Sequence, residues 1–564
     1  MEDANGGEAG ENESQHGGEE ARREETKGAE EEDARRKANL KWKIGNIGTS
    51  LNCWVHLATP NKQARLLICP RPHYLTLKSG TIDYATYFLN HTFASTKNME
   101  VEIISTQCIK PSCTTPNHPN TYNLSILDQF MPSIYIPMVL FYSFAQSSQA
   151  NIDSTITQQR LKQLKESLSQ VLTHFYPFAG RVKDKFTIDC NDEGVHYTEA
   201  KVSCTLAEFF NQPNFSSLIH KLVPNQPIME LATEGYTAMV QVNCFACGGM
   251  VIGTLISHMI ADGAGASFFL NSWGSNSNFS HQDAFDQFPN FDTPFPQNNN
   301  NYACPHDTNV MNLCGQFLNE GRVAMRRFLF DAEAISRLRA QGSSLTVQNP
   351  TRVEVVTSLL CKCTAKVFNA NFGLERPTLI THAVNMRRRA SPMFPKSCMG
   401  NFAWLALALI MSSKDNKVIM ELLPDLVVKL REAVSSINSD FVKGFEGDEG
   451  YAKYCEVSKE LIEKASSFAA TTTSGVNYVH FTSWCNFGLY DVDYGWGKPI
   501  WVSCVADSVD DSMFFNAVIL MDTPSGNGIE CWVYLNEDEM AILQQDKELL
   551  AFSTLDPNPQ QLKD

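Results

Sequence analysis

The chain has 564 residues with 43% hydrophobic and 10% aromatic side chains, enough to fill sizeable cores, which excludes a wholly disordered or fibrous protein. Its formal charge of −16 is unevenly spread: residues 1–38 hold 13 acidic against 6 basic groups, a local −7, and the other 526 residues share −9. So mildly acidic a body argues against nucleic acid or an anionic membrane surface as partner.

Residues 1–38 are rich in Glu and Gly and have no large apolar side chain after Met1, so they are expected to form a disordered acidic tail. The segment 39–98 mixes apolar pieces such as Leu66-Leu67-Ile68 with turn residues and shows neither a helical nor a strand period; it is set apart as an extension of unknown structure. At Met99 the character changes, with Val101-Glu102-Ile103-Ile104 reading as a strand, so Met99 is a plausible alternative start that leaves 466 residues.

Apolar residues at Leu161, Leu164, Leu168, Val171 and Leu172 share one face of a helix predicted over 158–173 and ending before Pro177. Phe186–Cys190 and Val195–Tyr197, around Asn191-Asp192-Glu193-Gly194, predict a hairpin, and residues 236–256 are strand-rich. From about Asn271 to Cys314 the chain turns to Asn, Ser, Gln, Phe and Pro, a linker composition. The domains expected are 99–289, a linker at 290–314, and 315–564. In the second half, helices are predicted near 332–341, 352–368 and 422–438, with strands near 402–411 and towards the end. Interleaved helices and strands make the fold class α/β.

The run Met250–Ile256 reads as a strand delivering Ser257-His258-Met259-Ile260-Ala261-Asp262-Gly263 to a turn, which puts the His258 imidazole at a cavity edge. A lone His-x-x-x-Asp arises often by chance in a satisfied polar turn. A second constellation is Thr482-Ser483-Trp484, followed by Asp493-Tyr494-Gly495-Trp496-Gly497-Lys498-Pro499, in which two glycines flank a large ring and Asp493 can cap backbone donors. Such a segment reads equally as a structural corner.

Taken together these residues resemble the plant BAHD acyltransferases, with their central His-x-x-x-Asp-Gly and their C-terminal Asp-Phe-Gly-Trp-Gly, here with Tyr494 for the Phe. Tyr176–Arg181, Arg352-Val353-Glu354, Asn385-Met386-Arg387, Gly400-Asn401 and Leu127-Asp128 extend the resemblance from about Met99 to the end, closest in character to the vinorine synthase-like branch. It implies a two-domain fold like chloramphenicol acetyltransferase with an interdomain channel, and part of the chain after Gly497 adding strands to the first domain. It further implies an acyl-CoA co-substrate, acetyl-CoA in this branch, and a hydroxyl acceptor from alkaloid or terpenoid metabolism. His258 would be the general base of a direct transfer without acyl-enzyme; Trp484 and Thr482 would meet the oxyanion. Asp262 would be structural and paired with an Arg, for which Arg352 is the matching position. Asp493, Gly495, Trp496 and Gly497 would hold the fold, and Arg387 and Lys498 are the candidates for CoA contacts.

Rival functions are poorly served. No third ligand stands beside His258 and Asp262, and neither Cys244-x-x-Cys247 nor Cys361-x-Cys363 has a second pair at finger spacing, so no metal is expected. Gly274-Ser275-Asn276 lacks the last Gly of a nucleophile elbow. The 17 cysteines are odd in number and scattered, which suggests free thiols. The different class is a non-catalytic binding or regulatory protein keeping this fold; the intact His258 argues against it. With no basic, apolar leader and no apolar run of about 20 residues, the expectation is a cytoplasmic monomer with no membrane.

Overall fold

The computed structural model describes residues 99–113, 120–144, 154–226, 235–277, 288–297, 315–319, 321–372, 376–410, 422–470, 475–504 and 515–561. The acidic stretch 1–38, the segment 39–98 and residues 298–314 of the expected linker lie outside them. All described residues belong to one unit, Thr96–Asp564.

The first half lays down β1 (Val101–Ile109), β2 (Thr121–Asn123), α1 (Ile126–Phe130), β3 (Tyr135–Tyr142), α2 (Ser154–Leu172), β4 (Arg181–Val182) and β5 (Thr187–Asp189). It continues with β6 (Val195–Val202), α3 (Leu206–Phe210), β7 (Ala238–Phe245), β8 (Met250–Ser257) and α4 (Gly263–Ser277). The second half opens with β9 (Val323–Phe330), α5 (Ala332–Gly342), α6 (Arg352–Phe372), β10 (Thr378–Asn385), β11 (Ala403–Ile410), α7 (Leu423–Ser435) and α8 (Ser439–Lys443). There follow α9 (Gly450–Ala470), β12 (Asn477–Ser483), β13 (Trp501–Ser503), β14 (Ala517–Asp522), β15 (Ile529–Asn536), α10 (Glu537–Leu543), α11 (Lys547–Leu550) and β16 (Thr554–Leu555).

Two mixed sheets organise these elements. The first runs β1-β6-β7-β8-β3-β13 and the second β11-β10-β12-β14-β15-β9-β16, with β2-β5-β4 as a small third. Every residue of β8 is buried, as a central strand covered on both faces requires. The apolar stripe of α2 (Leu161, Leu164, Leu168, Val171) packs with Phe269 and Trp273 of α4 onto the first sheet, while Val355, Val356, Leu359 and Leu360 of α6 pack onto the second.

The structure corrects two sequence expectations. Thr187–Asp189 and Val195–Val202 do not form a hairpin: β5 pairs with β2 and β4, whereas β6 lies between β1 and β7 in the large sheet. Linker composition at Asn271 does not end the helix, since α4 runs on to Ser277, its Ser and Asn side chains finding partners in Phe487, Gly488 and Ser167. As the resemblance implies for the chain after Gly497, the two sheets are not built from two consecutive halves. β13 crosses back to pair antiparallel with β3, and α1 leaves the first half so that Phe130 stacks on Trp404 of β11 at 4.5 Å between ring centroids.

Candidate functional site

A cavity of about 270 Å³ lies between the sheets, walled by Ile134, Ile136 and His258 from the first and by Ala383, Asn385, His480, Thr482, Ala517 and Ile519 from the second. Trp404, Leu405, Trp484 and Phe515 add mostly apolar surface.

β8 ends at Ser257, and the turn that follows carries His258 to the cavity edge. Its backbone N–H donates to Ile134 O at 2.8 Å, tying the turn to the chain entering β3. Its Nδ1 lies 3.0 Å from Asn401 Oδ1. The Asn401 amide cannot be turned round: Nδ2 donates to His258 O at 2.7 Å and to Asp128 Oδ1 at 2.9 Å, both of which only accept. Oδ1 therefore faces the imidazole, Nδ1 must carry the hydrogen, and Nε2 keeps its lone pair. Asp128 is itself fixed, accepting from Asn401 N at 2.7 Å and from Ser125 N and Oγ at 2.9 and 2.7 Å in the capping box of α1. Burial holds the His258 pKa below its ordinary value despite opposing help from Asp262 and Asn401, so the imidazole is neutral at pH 7.

Asp262, four residues on, points away from that imidazole. Its Oδ1 accepts from Gly265 N at 2.9 Å and so caps α4; its Oδ2 accepts from Phe402 N at 3.0 Å and from Arg387 Nη1 at 2.5 Å. Burial would push this carboxyl up, but the Arg387 guanidinium and these amides hold it below the usual carboxylate value.

The partner is thus Arg387 and not Arg352, which pairs instead with Asp522 at 3.0 Å. Asp522 in turn accepts from Asn486 N at 2.6 Å, so Arg352 steadies the loop after Trp484 from behind. Arg387 is 3% exposed and directs its other donors to Cys398 O and Gly400 O; it has nothing to offer a CoA phosphate. Lys498 is exposed and pairs with Asp491 at 2.8 Å on the surface.

Thr482 and Trp484 line the cavity at the end of β12, and neither the Thr482 hydroxyl nor the indole N–H has a hydrogen-bond partner among the described residues. A Cβ placed on Gly263 would stand 3.5 Å from Trp484 Nε1 and 2.8 Å from the Phe487 ring, which sets the indole beside the His258–Asp262 turn. The site therefore combines a bare imidazole nitrogen with two unspent donors in a mostly apolar cavity, the components of proton abstraction and oxyanion stabilisation.

Beyond the cavity, Asp493 Oδ1 accepts from Gly495 N and Gly497 N at 2.8 and 2.9 Å, and both glycines have positive φ, 98° and 109°. Tyr494 is buried with its ring edge-on to Trp273, and Trp496 stacks on Tyr494 under Arg160. This corner returns the chain from β12 in the second sheet to β13 in the first, and none of its residues lines the cavity.

What went unforeseen is the role of Asn401 and Asp128. Both stood in quoted motifs, Gly400-Asn401 and Leu127-Asp128, but only the fold shows Asn401 reaching His258 from 143 residues away and Asp128 holding that Asn401 from 273 residues away. Among the described residues, no His, Cys, Asp and Glu cluster could hold a metal, no helix is long and apolar enough to cross a membrane, and the 13 cysteines are free thiols.

A family model described as Transferase family matches residues 99–550. The chain is 44% identical over 470 residues to epi-neemfruitin B 7-O-acetyltransferase of Melia azedarach, and 44% over 473 residues to limonoid 7-O-acetyltransferase of Citrus sinensis. Both alignments cover 82% of this chain and 100% of the relative. The crystal structure of vinorine synthase superposes with a TM-score of 0.63 at 32% identity, covering 80% of this chain and 98% of that one. By these matches the chain belongs to the transferase family of the BAHD O-acyltransferases, enzymes that draw their acyl group from acyl-CoA.

Proposed function

We propose that the protein transfers an acetyl group from acetyl-CoA to a hydroxyl of a terpenoid, with His258 as general base. The observation that carries this is the Asn401 clamp, which fixes Nδ1–H and aims a neutral Nε2 into an apolar cavity. Nε2 takes the proton of the acceptor hydroxyl as its oxygen attacks the thioester carbonyl carbon. Negative charge gathers on the former carbonyl oxygen, where Trp484 Nε1–H and the Thr482 hydroxyl donate to it. The tetrahedral intermediate collapses, the C–S bond breaks, and the imidazolium returns its proton to the CoA thiolate. Asp262 and Arg387 hold the turn and touch neither substrate.

The terpenoid assignment rests on the two relatives at 44% identity, whose names specify 7-O-acetyl transfer in that class, and on the low polarity of the cavity. The test is thiol release from acetyl-, propionyl- and benzoyl-CoA against limonoid alcohols and hydroxylated alkaloids. Acetyl-CoA with a limonoid alcohol should be the best pair, and His258→Ala should reduce its rate about 10²- to 10⁴-fold. Faster turnover with benzoyl-CoA, or with alkaloids, would refute the substrate assignment; undiminished His258→Ala would refute the base.

A further inference from the structure

The cavity contains a second imidazole that proton transfer leaves unused. His480 lies on β12 two residues before Thr482, so the two side chains share one face of the strand and both line the cavity, while Val479 and Phe481 turn the other way into the helical core. Across the β10–β12 ladder, His480 Nδ1 is 2.9 Å from Thr381 Oγ1, which is 2.8 Å from Tyr478 OH. In this row the phenol is the strongest acid and the imidazole nitrogen the strongest base, an order that favours hydrogens running from Tyr478 to Thr381 to Nδ1. With that order the hydrogen of the ring is on Nε2, the nitrogen that the bond to Thr381 leaves to the cavity.

Burial, and after it the nearby imidazoles of His382 and His258, drives the His480 pKa down to about 3. A group so weakly basic cannot compete with His258 for a hydroxyl proton, but it is a permanent neutral donor. Its surroundings include Phe515, Ala517 and Ile519, which cannot accept. A desolvated N–H left unpaired there disfavours any ligand that brings no acceptor atom.

We propose that His480 selects the acyl acceptor: its Nε2–H donates to a carbonyl, ester or ether oxygen of the substrate, so that oxygenated polycyclic alcohols are preferred to counterparts bare at that position. The proposal rests on the placement of the reacting end at His258 and Thr482. Two residues along a strand span about 6.6 Å, so the recognised oxygen sits roughly that far from the reacting hydroxyl, the separation of substituents on neighbouring fused rings.

The probes are a fused-ring secondary alcohol bearing a ketone on the adjacent ring and its twin with methylene in place of the ketone, both with saturating acetyl-CoA and the full chain. Wild type should favour the ketone about tenfold in kcat/KM, one hydrogen bond's worth. His480→Phe should erase that preference by raising KM for the ketone about tenfold while leaving the methylene alcohol within about twofold. His480→Gln, which keeps an N–H donor, should retain part of it, and His480→Leu serves if the phenylalanine variant does not accumulate. Wild type without preference, or equal losses on both alcohols in His480→Phe, would overturn the proposal. His258→Ala, run in parallel, keeps the two assignments apart: turnover surviving there with the ketone preference intact would remove the base and leave His480 standing.

Discussion

At the scale of single residues, Asn401 decides the chemistry of His258 without touching substrate. Its amide has one orientation that satisfies Asp128 and His258 O, and that orientation dictates the tautomer. In Asn401→Ala the imidazole loses its fixed tautomer, so kcat should fall about 10- to 100-fold with KM within about twofold, a loss confined to the proton-transfer step. The pH profile adds an independent check. Because burial depresses the His258 pKa, kcat/KM should rise with pH along a limb whose midpoint lies below pH 6.5; because the Asn401 bond opposes that depression, Asn401→Ala should move the limb to lower pH. A limb above 6.5 in wild type would contradict the buried neutral imidazole. His258 was legible because a strand and a turn place it locally. Its clamp was not, because Asn401 and Asp128 are brought in by the crossing of α1 onto the second sheet, a long-range event that no spacing encodes.

At the scale of elements, the same contrast separates Arg387 from Arg352. Both stand in recognisable motifs, and only the register of β10, which ends at Asn385 just before Arg387, decides which of them reaches the cap of α4. The Asp262–Arg387 pair is almost fully buried, so breaking it should cost far more than its net worth. Arg387→Met should lower the unfolding free energy by about 3–5 kcal/mol in urea titrations, and the double variant Asp262→Ala, Arg387→Met should regain part of that loss, since no lone buried charge remains. A double variant as unstable as the sum of the singles would mean that the pair does not interact in this way. Strands β10 and β12 supply a further expectation through His382 and His480, both kept neutral by burial. Unfolded, they titrate near 6.5. Below that pH the unfolded chain binds more protons than the folded one, so stability should fall as pH drops from about 6.5 towards 3, and His480→Phe should flatten that slope. Helices followed the apolar period closely where it was used, as in α2 and α5. The period of α9, with Tyr454, Val457, Leu461 and Ala465 on one face, was equally present and went unread.

At the scale of the whole molecule, the cavity exists because two sheets are fastened to each other, and the fastening lies away from the chemistry. Arg327 of β9 and Glu530 of β15 pair at 2.6 Å with 0% and 1% of their side chains exposed, and Glu530 Oε2 also accepts from Trp501 Nε1 at 2.9 Å. Trp501 belongs to β13, in the other sheet, so one carboxylate holds both. The Arg327 guanidinium sits over the rings of Phe215 and Trp501 besides, 4.9 and 5.1 Å from their centroids. Glu530→Ala would leave the buried Arg327 with only the more distant Asp556, 4.0 Å from its Nε, and an indole N–H without its acceptor. A loss of about 3–5 kcal/mol is expected from the first alone. Because β13 is tied to the second sheet by that carboxylate and the corner Asp493–Gly497 carries the chain across, both sheets should unfold in one transition in wild type, with activity vanishing along the same curve. In Glu530→Ala that transition should shift to lower denaturant; a second transition appearing there would show that the carboxylate is what couples the sheets. The exposed pair Lys498–Asp491 provides the control, being solvated on both sides: Lys498→Ala should change stability by no more than about 1 kcal/mol. Equal effects from the buried and the exposed pair would contradict the assignment of the sheet junction to Glu530.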